Sequence, residues 1–179
     1  MTDKKRMDIP RNLGRPTEID YSESEPDYVP LERDRIPIRS LAEDDLATIV
    51  AIDSLITGRS RAGYLERKLD EALNQTDIRV SLLAEIDGVA AGFIMARVDI
   101  GEFGRLEPVA VLDTLGVHPE YRDRGVGRAL MAQLFANLSS LRIDKVLTEV
   151  DWKERGLIGF LADCNFQPSS RLAFEYRPR

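Results

Sequence analysis

Two glycines stand among arginines near position 125, in the segment Arg122-Asp123-Arg124-Gly125-Val126-Gly127-Arg128. An apolar run that predicts a buried strand precedes this segment, and a run with helical spacing of leucines follows it. The first amides of a helix lack partners inside the helix, and glycine has no side chain to keep a ligand away from them. The arginines add positive charge. The segment therefore predicts a phosphate-binding site at the start of a helix.

The spacing of these glycines argues against two common phosphate-binding motifs. A dinucleotide-binding fingerprint requires a third glycine at position 130, where the chain has Leu130. A Walker-type P-loop requires Gly-Lys-Ser or Gly-Lys-Thr after its four intervening residues, which the segment lacks. What remains is the pattern Arg-x-x-Gly-x-Gly between a strand and a helix.

This pattern resembles the acyl-CoA pyrophosphate loop of the GCN5-related N-acetyltransferase (GNAT) superfamily, Gln/Arg-x-x-Gly-x-Gly/Ala. Residues 115–121 (Leu-Gly-Val-His-Pro-Glu-Tyr) and 128–131 (Arg-Ala-Leu-Met) are also similar to that family. So is the predicted order of strands and helices from 36 to 176. The resemblance implies an acyl-CoA-dependent N-acyltransferase that moves acetyl from acetyl-CoA to a primary amine, by direct attack in a ternary complex.

The resemblance also implies how acetyl-CoA is held. The strand before the loop binds the pantetheine arm through its backbone, the loop binds the pyrophosphate, and the strand after the helix splays away to leave a slot for the thioester. The backbone amide of Val117 is the expected donor to the oxyanion. The expected cofactor-binding residues are Leu115, Gly116, Val117, Arg122, Asp123, Arg124, Gly125, Val126, Gly127 and Arg128.

A carboxylate is needed to accept a proton from the amine, because a lysine-like amine has a pKa of about 10.4. Asp113 is the expected base, acting directly or through water, since period-two alternation puts it on one face with Leu115 and Val117. A substrate-orienting or salt-bridged role is the alternative for Asp113. Glu107 and Glu149 are secondary candidates for the base.

The family often places a tyrosine on its last helix, and this chain has Leu161 at the matching position. Leucine cannot donate a proton, so the usual general acid is absent. Turnover is still expected, because a thiol with a pKa of about 8.5 leaves as an anion far more readily than an amine. Tyr64, Tyr176 and Cys164 are candidate replacements, although Cys164 is typical of a small buried residue.

The resemblance also implies that the loop joining the first two predicted helices forms part of the acceptor site. Two arginines there would suit an acceptor that carries a carboxylate or another anion. The alternative for this loop is a solvated segment without a ligand. Trp152 could equally have an ordinary packing role, and His118, before Pro119, is expected at a turn. The expected substrate-binding residues are Arg59, Arg61, Tyr64 and Trp152.

The predicted elements form one α/β (α+β) domain, and the resemblance implies a mixed and mostly antiparallel central sheet flanked by helices, with strands splayed at the acyl-CoA site. Asp87-Gly88 between two β-rich runs predicts a hairpin, and Gly58 predicts a helix end. The predicted strands are 36–39, 78–86, 89–100, 108–117, 145–150 and 172–176. The predicted helices are 43–57, 64–73, 125–141 and 154–164.

Composition limits the remaining functions. The 179 residues include 25 basic and 31 acidic ones, a net charge of −6, which disfavours nucleic acid and anionic membranes as partners. One histidine cannot build a multi-His metal site, so no metal is expected, and one cysteine fits a reducing cytoplasm. Residues 36–179 form the expected domain. Residues 1–35, with four prolines, form an arm that is flexible or packs on the domain or on a partner, as in a homodimer.

Two other functions remain open at this point. One is a sensor or partner-docking module of the same fold that binds acyl-CoA without turnover, which the missing tyrosine favours. The other is a scaffold that binds no CoA. The acceptor amine also stays open among small amines, peptide N-termini, lysine side chains and aminoglycosides.

Overall fold

The computed structural model describes residues 36–75, 78, 80–100, 107–171 and 174–178, which form a five-stranded sheet with helices on both faces. The strands lie in chain order, antiparallel except for the last pair, which is parallel. This confirms the predicted mixed, mostly antiparallel sheet. The strands are β1 (Ile38–Ser40), β2 (Leu82–Ile86), β3 (Val89–Asp99), β4 (Val109–Val117) and β5 (Val146–Leu147). The helices are α1 (Leu46–Thr57), α2 (Ala62–Asp70), α3 (Val126–Ser140) and α4 (Arg155–Asp163).

The long strand β3 contributes to two hydrophobic cores, because alternate side chains point to opposite faces of a sheet. Ile94 and Ala96 pack on one face with the leucines of α3. Phe93 and Met95 pack on the other face with α1 and α2. The sheet is therefore buried on both sides, and α3 is held by its apolar stripe rather than by its ends.

Two predicted turns are confirmed by their backbone angles. Asp87 and Gly88 both have positive φ values, 52° and 75°, as a tight hairpin between β2 and β3 requires. Gly58 has a φ of 71° and ends α1. The predicted arm 1–35 lies outside the described residues.

The predicted closing strand at 172–176 is wrong where the structure describes it. Residues 174–178 pair with no strand, and Phe174 and Tyr176 are 92% and 87% exposed. In the described part of the chain, no strand edge pairs with residues 174–178 and no apolar surface covers the two aromatic side chains. Leu172 and Ala173 lie outside that part. The predicted strand 145–150 is also shorter than expected, since only Val146 and Leu147 pair with β4.

Gly92 allows β3, β4 and the start of α3 to pack closely. A Cβ atom added at Gly92 would lie 2.8 Å from the carbonyl oxygen of Gly116 and 2.9 Å from Cγ1 of Val126. The backbone oxygen cannot turn aside as a side chain can. The first turn of α3 is thus positioned against β4 by the absence of a side chain at Gly92.

We expect Gly92→Ala to lower the free energy of unfolding by about 1–3 kcal/mol, the usual penalty for overpacking a core. Urea unfolding followed by circular dichroism measures the change. Gly63→Ala is the matched control, because a Cβ atom added at Gly63 in α2 would have nothing within 4 Å and alanine favours a helix there. Equal stability of the two variants would contradict this account of the β3–β4–α3 contact.

Candidate active site

The start of α3 presents backbone amides that have no partner in the described part of the chain. The chain reaches the helix through Asp123 and Gly125, both with positive φ (60° and 81°). Ala129 is the first residue whose amide bonds back, to the oxygen of Gly125 at 2.9 Å. The amides of Val126, Gly127 and Arg128 precede that bond, and no side chain caps them. The predicted cradle is therefore open, as an anion-binding helix start must be.

A groove of about 680 Å³ lies in front of these amides, between α3 and α4. This is within the usual range of roughly 300–1,000 Å³ for ligand sites. Arg122 and Arg128 are exposed and line the groove, and Arg124 lies over the ring of Tyr121, 5.4 Å from its centre. The groove is lined by Val117, Tyr121, Arg122, Asp123, Gly125, Val126, Gly127, Arg128, Arg155, Gly156, Gly159, Phe160 and Asp163.

The α4 wall of this groove is a feature that the sequence analysis missed. Its members Arg155, Gly156, Gly159, Phe160 and Asp163 recur at the three-to-four-residue spacing of one helix face, and that spacing could have revealed them. The two glycines leave open space beside the groove, and Arg155 adds a third arginine to its lining, beside Arg122 and Arg128.

Gly127 of α3 faces Phe160 of α4. A Cβ atom added there would be 3.2 Å from two ring atoms of Phe160 and 3.7 Å from Cγ2 of Val117. Both neighbours line the groove, so any side chain at position 127 would enter it or displace Phe160. Glycine at this position keeps the amides accessible.

Beyond the groove, β4 and β5 separate. They pair only at Ala110 with Val146 and at Val111 with Leu147, after which the Thr148 hydroxyl donates to the Leu112 oxygen at 3.0 Å. The separation leaves a slot of about 60 Å³ between β4 and α4. This confirms the predicted splay of the strands. The slot is lined by Leu112, Asp113, Thr114, Leu115, Thr148, Glu149, Leu157 and Leu161.

A β-bulge at Asp113 interrupts the alternation of β4. Leu112 lies opposite Ala96, and Thr114 lies opposite Met95, so Asp113 is an extra residue with no partner in β3. Leu112 packs in the α3-side core and Leu115 packs against that core, whereas the ion partner Lys68 places Asp113 toward α2. The prediction that Asp113 shares a face with Leu115 and Val117 is therefore wrong, because period-two counting does not hold across a bulge.

The bulge also decides where the backbone of β4 points. The amide of His118 donates to the Ala91 oxygen at 2.9 Å, toward β3. By alternation the amides of Val117 and Leu115 point away from β3, toward the groove and the slot. Before the bulge, even-numbered residues point their amides away from β3 instead: the amide of Ala110 donates to the Lys145 oxygen on the β5 side.

Asp113 is held by two cations. Its carboxylate accepts a hydrogen bond from Arg97 of β3 and lies 3.5 Å from Nζ of Lys68 in α2. Lys68 also pairs with Glu71 at 2.8 Å, and Arg97 with Asp99 at 2.9 Å. Burial alone would lower the pKa of Lys68, but the hydrogen bond to Glu71 and the charge on Asp113 outweigh it, so the pKa is raised. The salt-bridged alternative is the one that the structure shows for Asp113.

The other two carboxylate candidates differ in position. Glu149 is exposed and lines the slot, and within the described residues it makes no hydrogen bond and no ion pair. Glu107 is exposed before the start of β4 and lines neither the slot nor the groove. Glu149 is therefore the carboxylate that the structure leaves available at the point where β4 and β5 separate.

The predicted acceptor residues fall into two groups. Arg61 forms two hydrogen bonds, at 2.9 and 2.5 Å, with the buried carboxylate of Asp53, which raises the pKa of Arg61. It also lies over the ring of Tyr64, whose hydroxyl is 3.1 Å from that of Thr114 in β4. Arg61 is thus committed to the α1–α2 junction, while Tyr64 is brought near the slot. Arg59 and Trp152 are exposed and line neither groove nor slot.

His118, Leu161 and Cys164 have surroundings that are typical of structural residues. The ring nitrogen Nδ1 of His118 accepts from the amide of Glu120 at 3.3 Å, which confirms the predicted turn position. Leu161 is buried at the slot, and Cys164 is half-buried in a different groove beside Phe135 and Phe166. Across the described residues, no helix is long and apolar enough to span a membrane, and no group of three His, Cys, Asp or Glu residues could hold a metal.

Comparison with known proteins adds a family and a fold. The model of the acetyltransferase (GNAT) family matches residues 48–166. Acetyltransferase plu1384 of Photorhabdus laumondii is 32% identical over 114 residues, which are 62% of this chain and 71% of that protein.

Solved structures resemble this one over most of its length. A transcriptional regulator from Bacillus halodurans C-125 has a TM-score of 0.67 at 15% identity, covering 79% of this chain and 99% of that one. The aminoglycoside N-acetyltransferase AAC(6')-Iy in complex with CoA has a TM-score of 0.66 at 23% identity, covering 80% and 95%. At these identities the likeness shows the fold.

We expect Gly127→Leu to weaken acetyl-CoA binding by about 100-fold. The leucine would occupy the floor of the groove, and each hydrogen bond lost to a charged group costs about 1.5–3 kcal/mol. Isothermal titration calorimetry with acetyl-CoA measures the change. Gly63→Leu, which adds the same side chain in open space on α2, is the control and should keep the wild-type Kd. A Kd of Gly127→Leu within twofold of the wild-type value would contradict the prediction that acetyl-CoA binds at the start of α3.

Proposed function

The chain belongs to the GNAT family of acetyltransferases, and we propose that it transfers acetyl from acetyl-CoA to a small-molecule primary amine by direct attack in a ternary complex. One observation carries this proposal. The open amides of α3, the outward amides of β4 and the slot follow one another along a single path between β4 and α4.

The residues along this path fit the parts of acetyl-CoA. The amides of Val126, Gly127 and Arg128, with the arginines around them, suit a diphosphate. Beyond Leu112 no described strand pairs with the outer edge of β4, so Leu115 and Val117 can hydrogen-bond an extended amide-bearing arm as an added strand would. Gly116 lies between them and directs its groups to β3. We assign the pyrophosphate to residues 122–128 and the pantetheine arm to 115–117.

Acetyl-CoA supplies an electrophilic thioester carbonyl. The amide of Val117, which points away from β3, is our proposed donor to the oxygen that gains charge during attack. The amine nitrogen forms a bond to the carbonyl carbon, the carbon–sulfur bond breaks, and the sulfur leaves as a thiolate. The amine must lose a proton in this sequence, and the chain has to accept it.

We assign the proton-accepting role to Glu149 and a positioning role to Asp113. Asp113 already faces two cations, Lys68 and Arg97, on the α2 side of the sheet. Glu149 lines the slot and has no such partner in the described residues. A free carboxylate beside the thioester can accept a proton from the amine directly or through one water.

The proposed class of acceptor is argued from the names of structurally similar proteins and from the charges of the side chains near the slot. AAC(6')-Iy and other structures of the same fold bear the names of aminoglycoside acetyltransferases, whose substrates are amines. Arg61 is paired with Asp53 and does not offer its charge to an anionic acceptor. Glu149 favours a cationic acceptor instead. A single cysteine fits a reducing compartment, so we place the reaction in the cytoplasm.

The activity is tested by release of the CoA thiol from acetyl-CoA in the presence of a panel of amines. The panel contains neamine, spermidine, a lysine-containing acetyl-capped peptide and a peptide with a free N-terminus. Amine-dependent release with neamine or spermidine supports the proposal. Tight binding of acetyl-CoA with no release for any amine would contradict turnover and favour a binding module.

The two carboxylates are separated by their kinetics. We expect Glu149→Gln to lower kcat by about 10²–10⁴-fold, the usual contribution of a general base, with an unchanged KM for acetyl-CoA. Asp113→Asn should mainly raise KM for acetyl-CoA, because it loosens the bulge that aims Leu115 and Val117.

A large loss of kcat in Asp113→Asn, with only a raised KM for acetyl-CoA in Glu149→Gln, would contradict this assignment and return the base to Asp113.

A further inference from the structure

Thr114 of β4 lines the slot with a hydroxyl group, and we propose that this hydroxyl donates a hydrogen bond to the sulfur of acetyl-CoA as the sulfur leaves. The inference rests on the proposed function and adds a catalytic residue to it. Tyr64 of α2 is the positioning residue, because its hydroxyl lies 3.1 Å from the hydroxyl of Thr114.

The contact between the two hydroxyl groups leaves one hydrogen over. Each hydroxyl carries one hydrogen, their contact uses one of the two, and neither group makes a second hydrogen bond within the described residues. Arg61, which Asp53 holds, lies 5.2 Å from the centre of the Tyr64 ring. Because a phenol beside a cation is a better donor than an aliphatic alcohol, Tyr64 donates to Thr114, and the hydrogen of Thr114 is the one that remains.

The remaining hydrogen belongs to a buried residue at the slot. Thr114 is 8% exposed and lines the slot, which Tyr64 does not. A buried donor without a partner is unfavourable, so a bound group that accepts the hydrogen bond is favoured there. A pantetheine arm along residues 115–117 that starts from the groove brings its sulfur to this slot.

Among the described residues, the rest of the slot wall offers the sulfur no other side-chain donor. Four of the lining residues are leucines, Leu161 among them, and two are carboxylates, which accept hydrogen bonds when ionised. The hydroxyl of Thr148 already donates to the Leu112 oxygen at 3.0 Å. Thr114 is therefore the side chain of the slot that can stabilise negative charge on the sulfur.

The step requires no proton transfer from Thr114. When the carbon–sulfur bond breaks, its electron pair moves to the sulfur, and the Thr114 hydrogen turns toward that charge while the Thr114 oxygen keeps its hydrogen bond from Tyr64. The proton of the amine goes to Glu149 in the proposed mechanism, and CoA leaves as the thiolate. A hydrogen bond to a charged group is stronger than one between neutral groups, so this bond is strongest once charge has developed.

The test measures the pKa of the CoA thiol bound to the enzyme and needs no acceptor amine. The ultraviolet absorbance of the thiolate is followed in a pH titration, and the titration of the enzyme alone is subtracted. For the wild type we expect a pKa below the value of about 8.5 for a free thiol. Thr114→Val should raise the pKa of the bound thiol by about 1–2 and lower kcat by about 10–100-fold, the effect of one hydrogen bond to a charged group.

Tyr64→Phe should move the thiol pKa in the same direction by a smaller amount, because Thr114 keeps its hydroxyl but loses the contact that orients it. This variant carries the test if Thr114→Val fails to fold. Thr114→Ser retains the hydroxyl and should restore the wild-type thiol pKa.

Thr148→Val is the matched control, since it removes from the same slot a hydroxyl whose hydrogen is already used. It should leave the pKa of the bound thiol at the wild-type value. A thiol pKa that Thr114→Val leaves unchanged, or that Thr148→Val raises equally, would overturn the inference while leaving acetyl transfer intact. Failure of CoA to bind the wild type in calorimetry would instead overturn the proposed function.

Discussion

One extra residue in β4 determines how the rest of the site is arranged. A strand directs its backbone groups alternately to its two neighbours, and the bulge at Asp113 reverses that order halfway along β4. Before the bulge, the amide of Ala110 donates to the β5 side. After the bulge, the amides of Leu115 and Val117 point away from β3, where β5 no longer pairs with β4. An unbroken β4 would direct Thr114 and Gly116 outward instead. The ion pairs of Asp113 with Arg97 and Lys68 hold the bulge from the opposite face of the sheet.

The proposed phosphate site depends more on backbone geometry than on the number of arginines. Exposed ion pairs contribute about 0–1 kcal/mol each, and the 3.6 Å contact of Arg128 with Asp163 joins two side chains that are both more than half exposed. Hydrogen bonds to charged groups contribute about 1.5–3 kcal/mol. Three aligned amides in a sheltered groove therefore outweigh the surface arginines. They stay accessible because Gly125 turns the chain and Gly127 leaves room beside Phe160.

The sequence was sufficient for the features that local patterns encode. Arg-x-x-Gly-x-Gly after an apolar run located the glycine-turned start of α3, and Asp87-Gly88 located the hairpin. Features that depend on contacts between distant segments were missed. A bulge is a property of the pairing between β3 and β4, so residue alternation placed Asp113 on the wrong face. The commitment of Arg61 to Asp53 likewise joins residues on two helices, and no local pattern reveals it.

Leu161 stands where a hydroxyl group could act as the general acid, and it is also a buried core residue. At that position a hydroxyl could protonate the departing sulfur, but a thiol with a pKa of about 8.5 can leave as the anion near neutral pH, so the loss is tolerable. A leucine there is buried in the α3-side core and closes the slot without a polar atom that would need a partner. In the proposed mechanism the proton is accepted on the amine side of the site, where Glu149 is exposed and lines the slot.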